Sequence, residues 1–531
     1  MRAFAGTSQL LRLILKRDRG RLLSWILALA GIPIVTANAF IELYATETAR
    51  SELIATFGSN PAYSALLGPI YGSTIGALTV WRIGVIGSVL IGLMAVLLVI
   101  RNTRDEEESG RRELLGATVV GRHAPLTAAL VVVMAAGLNI GLLITVGLAA
   151  LGLEFGGALG YGAGVGTTSA VFAAVGGIAA QLTNGGGAAR GVGVGALGLA
   201  FILRAAGDAM EIEALGWLSP IGWFTRLRPF SGERWWVLGL STAVAAGLGA
   251  IAYRLASRRD LGAGVLPVRA GPANAAPGLR GPVALAWRLQ RSSLLGWSVG
   301  IGLLAALYGT VADDVGEIFG GNPQLAEVLA ALGGTDRLTD TFFSFTGGVL
   351  ALVAGAYSIR TALRLRAEEE GLRAEAVLAT STTRGRWMAS HLLFAFLGAA
   401  VMMVLAGLVM GATYGAAIDD VAGQMARVLG ISIIQLPAIW VLTAATAALY
   451  GLAPRATVVA WALLLGFLVL GQLGQILRFP QWLLNLSPFS HVATSTASEI
   501  SAVPIAVLLG VVIFLTGLSF SAFRRRDLTA A

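Results

Sequence analysis

The 531-residue chain contains no cysteine, which excludes disulfides, thiolate metal sites and thiol catalysis. Its single lysine is Lys16; every other basic residue is arginine. A phosphate-cradling loop of the GxxxxGK[ST] kind needs a lysine behind its glycines, and Lys16 follows leucine-rich sequence instead. The glycine clusters at 157–166 and 184–191 lack the lysine, so they suit a loop or helix packing. The chain cannot carry a Walker-type ATPase of its own. Histidine is also scarce: His123 and His491 stand alone near span ends, and His391 lies within an apolar run, where hydrogen bonding to a neighbouring helix is the expected use. The acid pairs Asp313-Asp314 and Asp419-Asp420 have no histidine or third carboxylate at ligand spacing, so no metal site is expected. No Ser/His/Asp arrangement is visible, and catalysis by this polypeptide is not expected.

Charge is sparse too, at 13% of residues against 56% apolar, and the mean hydropathy is +0.77. With several apolar runs of about 20 residues, this is the composition of a membrane protein. The seventy glycines fit close helix–helix approach in lipid. The expected fold is an all-α polytopic bundle of twelve transmembrane helices, arranged as two parallel six-helix repeats. First-half spans are expected near 22–43, 76–100, 123–152, 163–183, 190–206 and 234–255. Second-half spans are expected near 293–310, 343–363, 386–414, 425–451, 456–477 and 501–522. Pro33 and Pro437 are expected to kink their spans. The run from Leu22 to Ile41 is too long for a signal-peptide core, although Ala37-Asn38-Ala39 near its end resembles a cleavage site, and reads as a retained span. Segments 8–20 and 281–291, rich in Arg and Leu, read as elbow helices lying in the interface.

Placing both termini in the cytoplasm puts 29 of 38 basic and 12 of 29 acidic residues on that side, a positive-inside bias. Arg226, Arg228 and Arg234 fall outside it, beside Trp223, Trp235 and Trp236, and imply short interfacial or re-entrant helices there.

One charged stretch occurs twice. Residues 104–122 align without a gap on 366–384, with nine of nineteen positions identical. The matches are Arg104/Arg366, Glu106/Glu368, Glu107/Glu369, Glu108/Glu370, Arg111/Arg373, Glu113/Glu375, Ala117/Ala379, Thr118/Thr380 and Arg122/Arg384. Leu218-Ser219-Pro220 likewise matches Leu486-Ser487-Pro488, and Arg258-Arg259-Asp260-Leu261 matches Arg525-Arg526-Asp527-Leu528. Equivalent landmarks fall on equivalent sides, so the repeats are expected to be parallel. They divide the chain into a first half at 1–256, a Pro/Gly/Ala-rich linker at 257–284 and a second half at 285–531. Within each charged stretch, carboxylates followed by arginines suit a short helix, with i,i+4 pairs at Glu107–Arg111 and Glu369–Arg373. A charged helix carried twice on one side reads as a lever for a soluble partner.

Six spans per half, an elbow before the first, a charged helix after the second and outer helices before the sixth together resemble the ABC-2-type (type V) ABC exporter permeases. The run Glu107-Glu108-Ser109-Gly110-Arg111-Arg112-Glu113-Leu114-Leu115-Gly116-Ala117-Thr118 resembles a signature of the polyketide-antibiotic (tetronasin-type) and multidrug exporter membrane subunits. The second copy departs from it at Leu372, where Gly110 stands in the first, and at Ala376 for Leu114. The resemblance implies coupling helices at about 104–118 and 366–380, carrying Glu106, Glu107, Glu108, Arg111, Glu113 and Thr118, then Glu368, Glu369, Glu370, Arg373, Glu375 and Thr380. Two copies of a nucleotide-binding ATPase subunit would dock there, bringing the ATP and Mg that this chain does not bind. A central cavity would take hydrophobic or amphipathic drugs, with Trp81, Phe201, Phe343, Phe345, Trp461 and Phe467 as candidate lining residues. The other expected partner is the lipid bilayer of a bacterial plasma membrane; no nucleic acid is expected.

A twelve-span proton-coupled carrier of the major-facilitator kind is the rival, since it too has two parallel six-span halves. The acidic triplets suit a docking helix better, and such a carrier usually needs a mid-span carboxylate, of which none is found.

Overall fold

The computed structural model describes residues 2–58, 61–110, 120–260, 262–266, 274, 276, 278–312, 335–473, 480–492 and 502–527. Helices account for all regular structure among the described residues, and the chain forms two compact units, Met1–Gly271 and Pro272–Ala531. The division falls within the stretch read as a linker.

The first unit contains α1 (Thr7–Leu43), α2 (Glu47–Phe57), α3 (Pro61–Leu67), α4 (Ile75–Glu108), α5 (Ala124–Ala150), α6 (Phe155–Leu182), α7 (Gly186–Ala209), α8 (Glu213–Trp217), α9 (Pro220–Leu227) and α10 (Trp236–Arg258). The second contains α11 (Pro282–Val311), α12 (Thr335–Ala362), α13 (Arg364–Glu370), α14 (Arg373–Leu378), α15 (Arg384–Ala417), α16 (Val421–Ile433), α17 (Leu436–Leu452), α18 (Val459–Leu473), α19 (Gln481–Leu484) and α20 (Ala502–Arg525). Eleven helical stretches among the described residues are long and apolar enough to cross a membrane. The expected eleventh span appears as α18, which is shorter at 15 residues, and positions 474–479 beyond it lie outside the described residues.

Two expectations need correction. The elbows are not separate helices: α1 and α11 run unbroken from the Arg/Leu-rich segments into the first span of each half. One buried stripe, Leu10, Ile14, Leu22 and Leu29, continues through the junction in α1, so the helix keeps the same face on its neighbours. Asp18, buried on that stripe, is clamped by Arg101 of α4 at 3.2 Å. The expected kink at Pro437 is present: α16 stops at Ile433 and α17 restarts after two residues that keep helical angles, with Pro437 in its first turn, and Val421–Leu452 remains one apolar span. The second correction concerns the charged repeat and is taken up below.

The glycine cluster at 157–166 serves helix packing. A Cβ on Gly141 would run into the Gly162 carbonyl, and a Cβ on Gly162 into that of Gly141, so α5 and α6 meet backbone to backbone. Thr145 bridges the contact, donating to the Ala158 carbonyl at 3.2 Å.

Outside the expected spans of the first unit, α8 and α9 form the short helices that the Trp/Arg mixture implied. Ser219 caps α9 through the Gly222 N–H and donates to the Ala200 carbonyl at 2.6 Å. Trp223, Phe224, Arg226 and Leu227 are buried beneath. Buried Arg204 holds this cap by donating to Asp208 and to carbonyls of α3, and Arg226 reaches the same aspartate at 3.5 Å. In the second unit, His391 packs against α11 and sits 3.0 Å from the Gln290 amide, the interhelical hydrogen bond expected of it.

Candidate functional site

In the first unit the charged stretch begins as the last turns of α4 rather than as a helix of its own. Four buried residues, Asn102, Thr103, Arg104 and the Glu107 side chain, anchor it. Ser109 donates to the Asp105 carbonyl and Gly110 to the Glu107 carbonyl, and Gly110 turns left-handed at φ +72°. Arg111, Glu113 and Thr118 lie outside the described residues.

The second unit closes the turn the same way. Gly371 donates to Ala367 and Leu372 to Glu369, and Leu372 stands at φ +57° in the place of Gly110. The expected single coupling helix at 366–380 is therefore two, α13 and α14, with a left-handed residue between them. This overturns the i,i+4 pair Glu369–Arg373. Once the helix breaks, Arg373 swings to Glu368 at 2.7 Å, and Glu369 is left to a more distant partner. An L-residue held left-handed costs about 1–2 kcal/mol, and the Leu372 side chain is 51% exposed and gains little from packing. Replacing Leu372 with glycine is expected to stabilise the second unit by about 1 kcal/mol, read as a raised thermal unfolding midpoint; a lowered midpoint would refute the strain.

The middle glutamate of each triplet makes the same contact in both units. Glu107 is gripped by both terminal nitrogens of Arg259 at 2.7 and 2.8 Å, and Glu369 meets Arg526 at 2.7 Å. Both arginines lie just beyond the last helix of their unit, α10 and α20, within the matched Arg-Arg-Asp-Leu landmarks. A third shared residue closes each figure. Arg122 donates to the Arg259 carbonyl at 2.7 Å, and Arg384 to the Arg526 carbonyl at 2.6 Å. Three elements, the end of the second expected span, the start of the third and the end of the sixth, are thus latched together in each unit.

The surroundings differ. Arg104 shares Glu107 and donates to the Gly262 and Ala263 carbonyls, while Gln181 at the end of α6 accepts from Arg259 at 2.6 Å. Burial pulls the Arg259 guanidinium below its ordinary pKa. In the second unit Tyr450 of α17 donates to Glu369 at 2.6 Å and lies under the Arg526 guanidinium, 5.0 Å from its ring centroid. Arg366, aligned with Arg104, instead takes Glu370 at 2.6 Å.

The flanking acids go elsewhere. Glu106 meets Arg17 of α1 at 2.6 Å, and Glu108 accepts from the Gly186 N–H at the start of α7 at 2.8 Å. Asp105 meets Arg190 of the same helix at 2.7 Å. Glu368 lies between Arg364 and Arg373, both at 2.7 Å. Exposure separates the site residues into two sets. The Glu107 and Glu369 side chains are 2% and 6% exposed, whereas Glu370 and Arg373 are 58% and 60% exposed, and Glu375 and Thr380 also face outward.

Of the candidate cavity aromatics, Phe343 and Phe467 share one apolar cluster of the second unit. Trp81 is buried against Phe57, and Phe201 carries the Arg204 guanidinium over its ring at 5.0 Å. Phe343 is fully buried between Phe342 and Tyr414, while Phe467 packs on Phe489. Phe345 and Trp461 are exposed on their unit.

Over 526 residues the chain is 43% identical to the multidrug efflux system permease protein Rv1217c of Mycobacterium tuberculosis (strain ATCC 25618 / H37Rv), covering 99% of this chain and 95% of that protein. The chain belongs to that permease family. Its residues 279–524 also match a family model described as multidrug efflux system permease Rv1217c, C-terminal domain. Membership in a permease family accords with a polytopic transport subunit rather than an enzyme. It does not favour the major-facilitator alternative.

Arg259 and Arg526 stood out in the sequence only as matched landmarks, and Arg122 and Arg384 only as identities. Their common signal was recurrence, since each pair occupies equivalent positions in the two halves.

Proposed function

We propose that this permease is the membrane subunit of an ATP-driven ABC-2-type (type V) exporter that moves hydrophobic or amphipathic drugs or antibiotics out of a bacterial cell. The observation that carries the reading is the full-length similarity to a multidrug efflux permease in a chain with no phosphate-binding loop of its own. Energy then has to arrive from elsewhere, and the twice-used charged stretch is the natural place for it to enter. Two copies of a nucleotide-binding subunit, holding ATP and Mg, would each press on one stretch. Both termini and both stretches would face the cytoplasm, in keeping with the distribution of arginine. The charged stretch would divide its labour. Glu370, Arg373, Glu375 and Thr380 offer an exposed face to a partner, and the latch of Glu369, Arg526 and Arg384 carries the push to the sixth span. Glu106, Glu107 and Glu108, with Arg111, Glu113 and Thr118, would serve the first half in the same way.

Efflux of a fluorescent drug from native host cells, compared with the same cells lacking this chain, tests this directly. Export should stop when cellular ATP is depleted and persist in a protonophore. The opposite pattern would establish the proton-coupled alternative.

A further inference from the structure

A cavity of about 410 Å³ opens at the end of the first unit where the charged stretch lies. That volume is in the range of small-molecule sites. Its apolar wall includes Leu10, Leu13 and Ile14, one face of α1 at helical spacing, with Leu126 of α5 contributing from the side. Arg17, one turn further along α1, and Arg122 at the start of α5 supply its polar end. The cavity is therefore apolar along one wall and charged at one end, the profile of an amphiphile.

Two charges at that end have no ion-pair partner among the described residues. Arg17 is spent on Glu106 and Asn102, and Arg259 on Glu107. Arg122 is held only by the carbonyls of Ala256 and Arg259, at 3.0 and 2.7 Å, and meets no carboxylate among the described residues. Asp260 also lines the cavity, next in sequence to the carbonyl that Arg122 grips, and its exposed carboxylate has no cation within ion-pair distance among the described residues. A cation held by backbone carbonyls and an exposed anion, lining the same cavity and not paired among the described residues, match a zwitterion rather than an anion.

We propose that this cavity binds a phospholipid of the ethanolamine type from the bilayer. Its phosphate sits on Arg122, its ammonium donates to Asp260, and one acyl chain lies along Leu10, Leu13 and Ile14. The bilayer is the source because the cavity lies where α1, α4, α5 and α10 leave their apolar stretches, the level at which headgroups lie. A primary ammonium offers three N–H donors to Asp260, and a choline headgroup offers none.

The test is native mass spectrometry of the purified, delipidated full chain titrated with phosphatidylethanolamine, phosphatidylcholine and phosphatidylglycerol of identical acyl chains. The ethanolamine lipid should bind one site at least about fivefold more tightly than the choline lipid. Asp260→Asn, an isosteric change at an exposed position, should bring the two within about twofold. Arg122→Gln should weaken both by about fivefold or more. Leu13→Trp, which fills the apolar wall from a half-exposed position, should remove the site and leaves the latch untouched. Equal wild-type affinities, tighter binding of phosphatidylglycerol, or an ethanolamine preference that survives Asp260→Asn would each overturn the assignment. Because the readout needs neither ATP nor a partner, its failure would not bear on the exporter reading.

Discussion

Replacing Glu107 with glutamine is expected to destabilise the first unit by about 3 kcal/mol. The effect comes from what is left behind. Arg259 is buried, meets Glu107 through two hydrogen bonds, and has Arg104 beside it as a second buried cation served by the same carboxylate. A neutral amide can still accept one hydrogen bond, but two buried guanidinium groups would then face each other uncompensated. For a unit of this size that corresponds to a fall of roughly 10 °C in the unfolding midpoint, read on the purified chain in detergent. Glu369→Gln should cost less, since Arg526 is more exposed and Tyr450 can still donate to the amide oxygen. Adding Arg259→Gln to Glu107→Gln should recover part of the loss, because removing both partners leaves a smaller uncompensated charge. A midpoint shift below about 2 °C for Glu107→Gln would show the latch to be ornamental.

Composition and periodicity made the helical, membrane-spanning character legible, because lipid demands long apolar helices and the chain has little else. The charged stretch was legible through its recurrence. What its residues touch was not. Glu107 and Arg259 are 152 residues apart and Glu369 and Arg526 are 157 apart, and no spacing rule reaches that far. The i,i+4 rule misdirected Arg373 because it assumes an unbroken helix, and Leu372 carries no signal that it will turn left-handed. Only its alignment with Gly110 could have raised the question. The elbows were misjudged for a related reason. Their polar residues resemble an interfacial helix, but burial of Asp18 against Arg101 holds the segment in line with the span. Single aromatic residues carry the least information, since a phenylalanine in an apolar helix has nothing to separate a cavity wall from packing.

The converse substitution addresses the outer face. Glu375→Lys combined with Glu370→Lys should leave the unfolding midpoint within about 2 °C of the parent, because both side chains are exposed and surface charge changes usually fall within about 0.5 kcal/mol. Membrane insertion should be unchanged for the same reason. Drug efflux, however, should fall at least about tenfold, since like charges brought against a docked partner cost more than one decade of affinity. The comparison with Glu369→Gln makes the pair decisive. A variant that is stable yet transports nothing places the partner on the exposed face of α13 and α14, while a variant that loses stability first reports the internal latch. Efflux at parental level in the double-lysine variant, with the second unit intact, would remove the second charged stretch from the coupling path. The first stretch would then have to carry the whole drive alone, and Glu106→Lys, which also reverses the sign opposite Arg17, would be the substitution that stops transport.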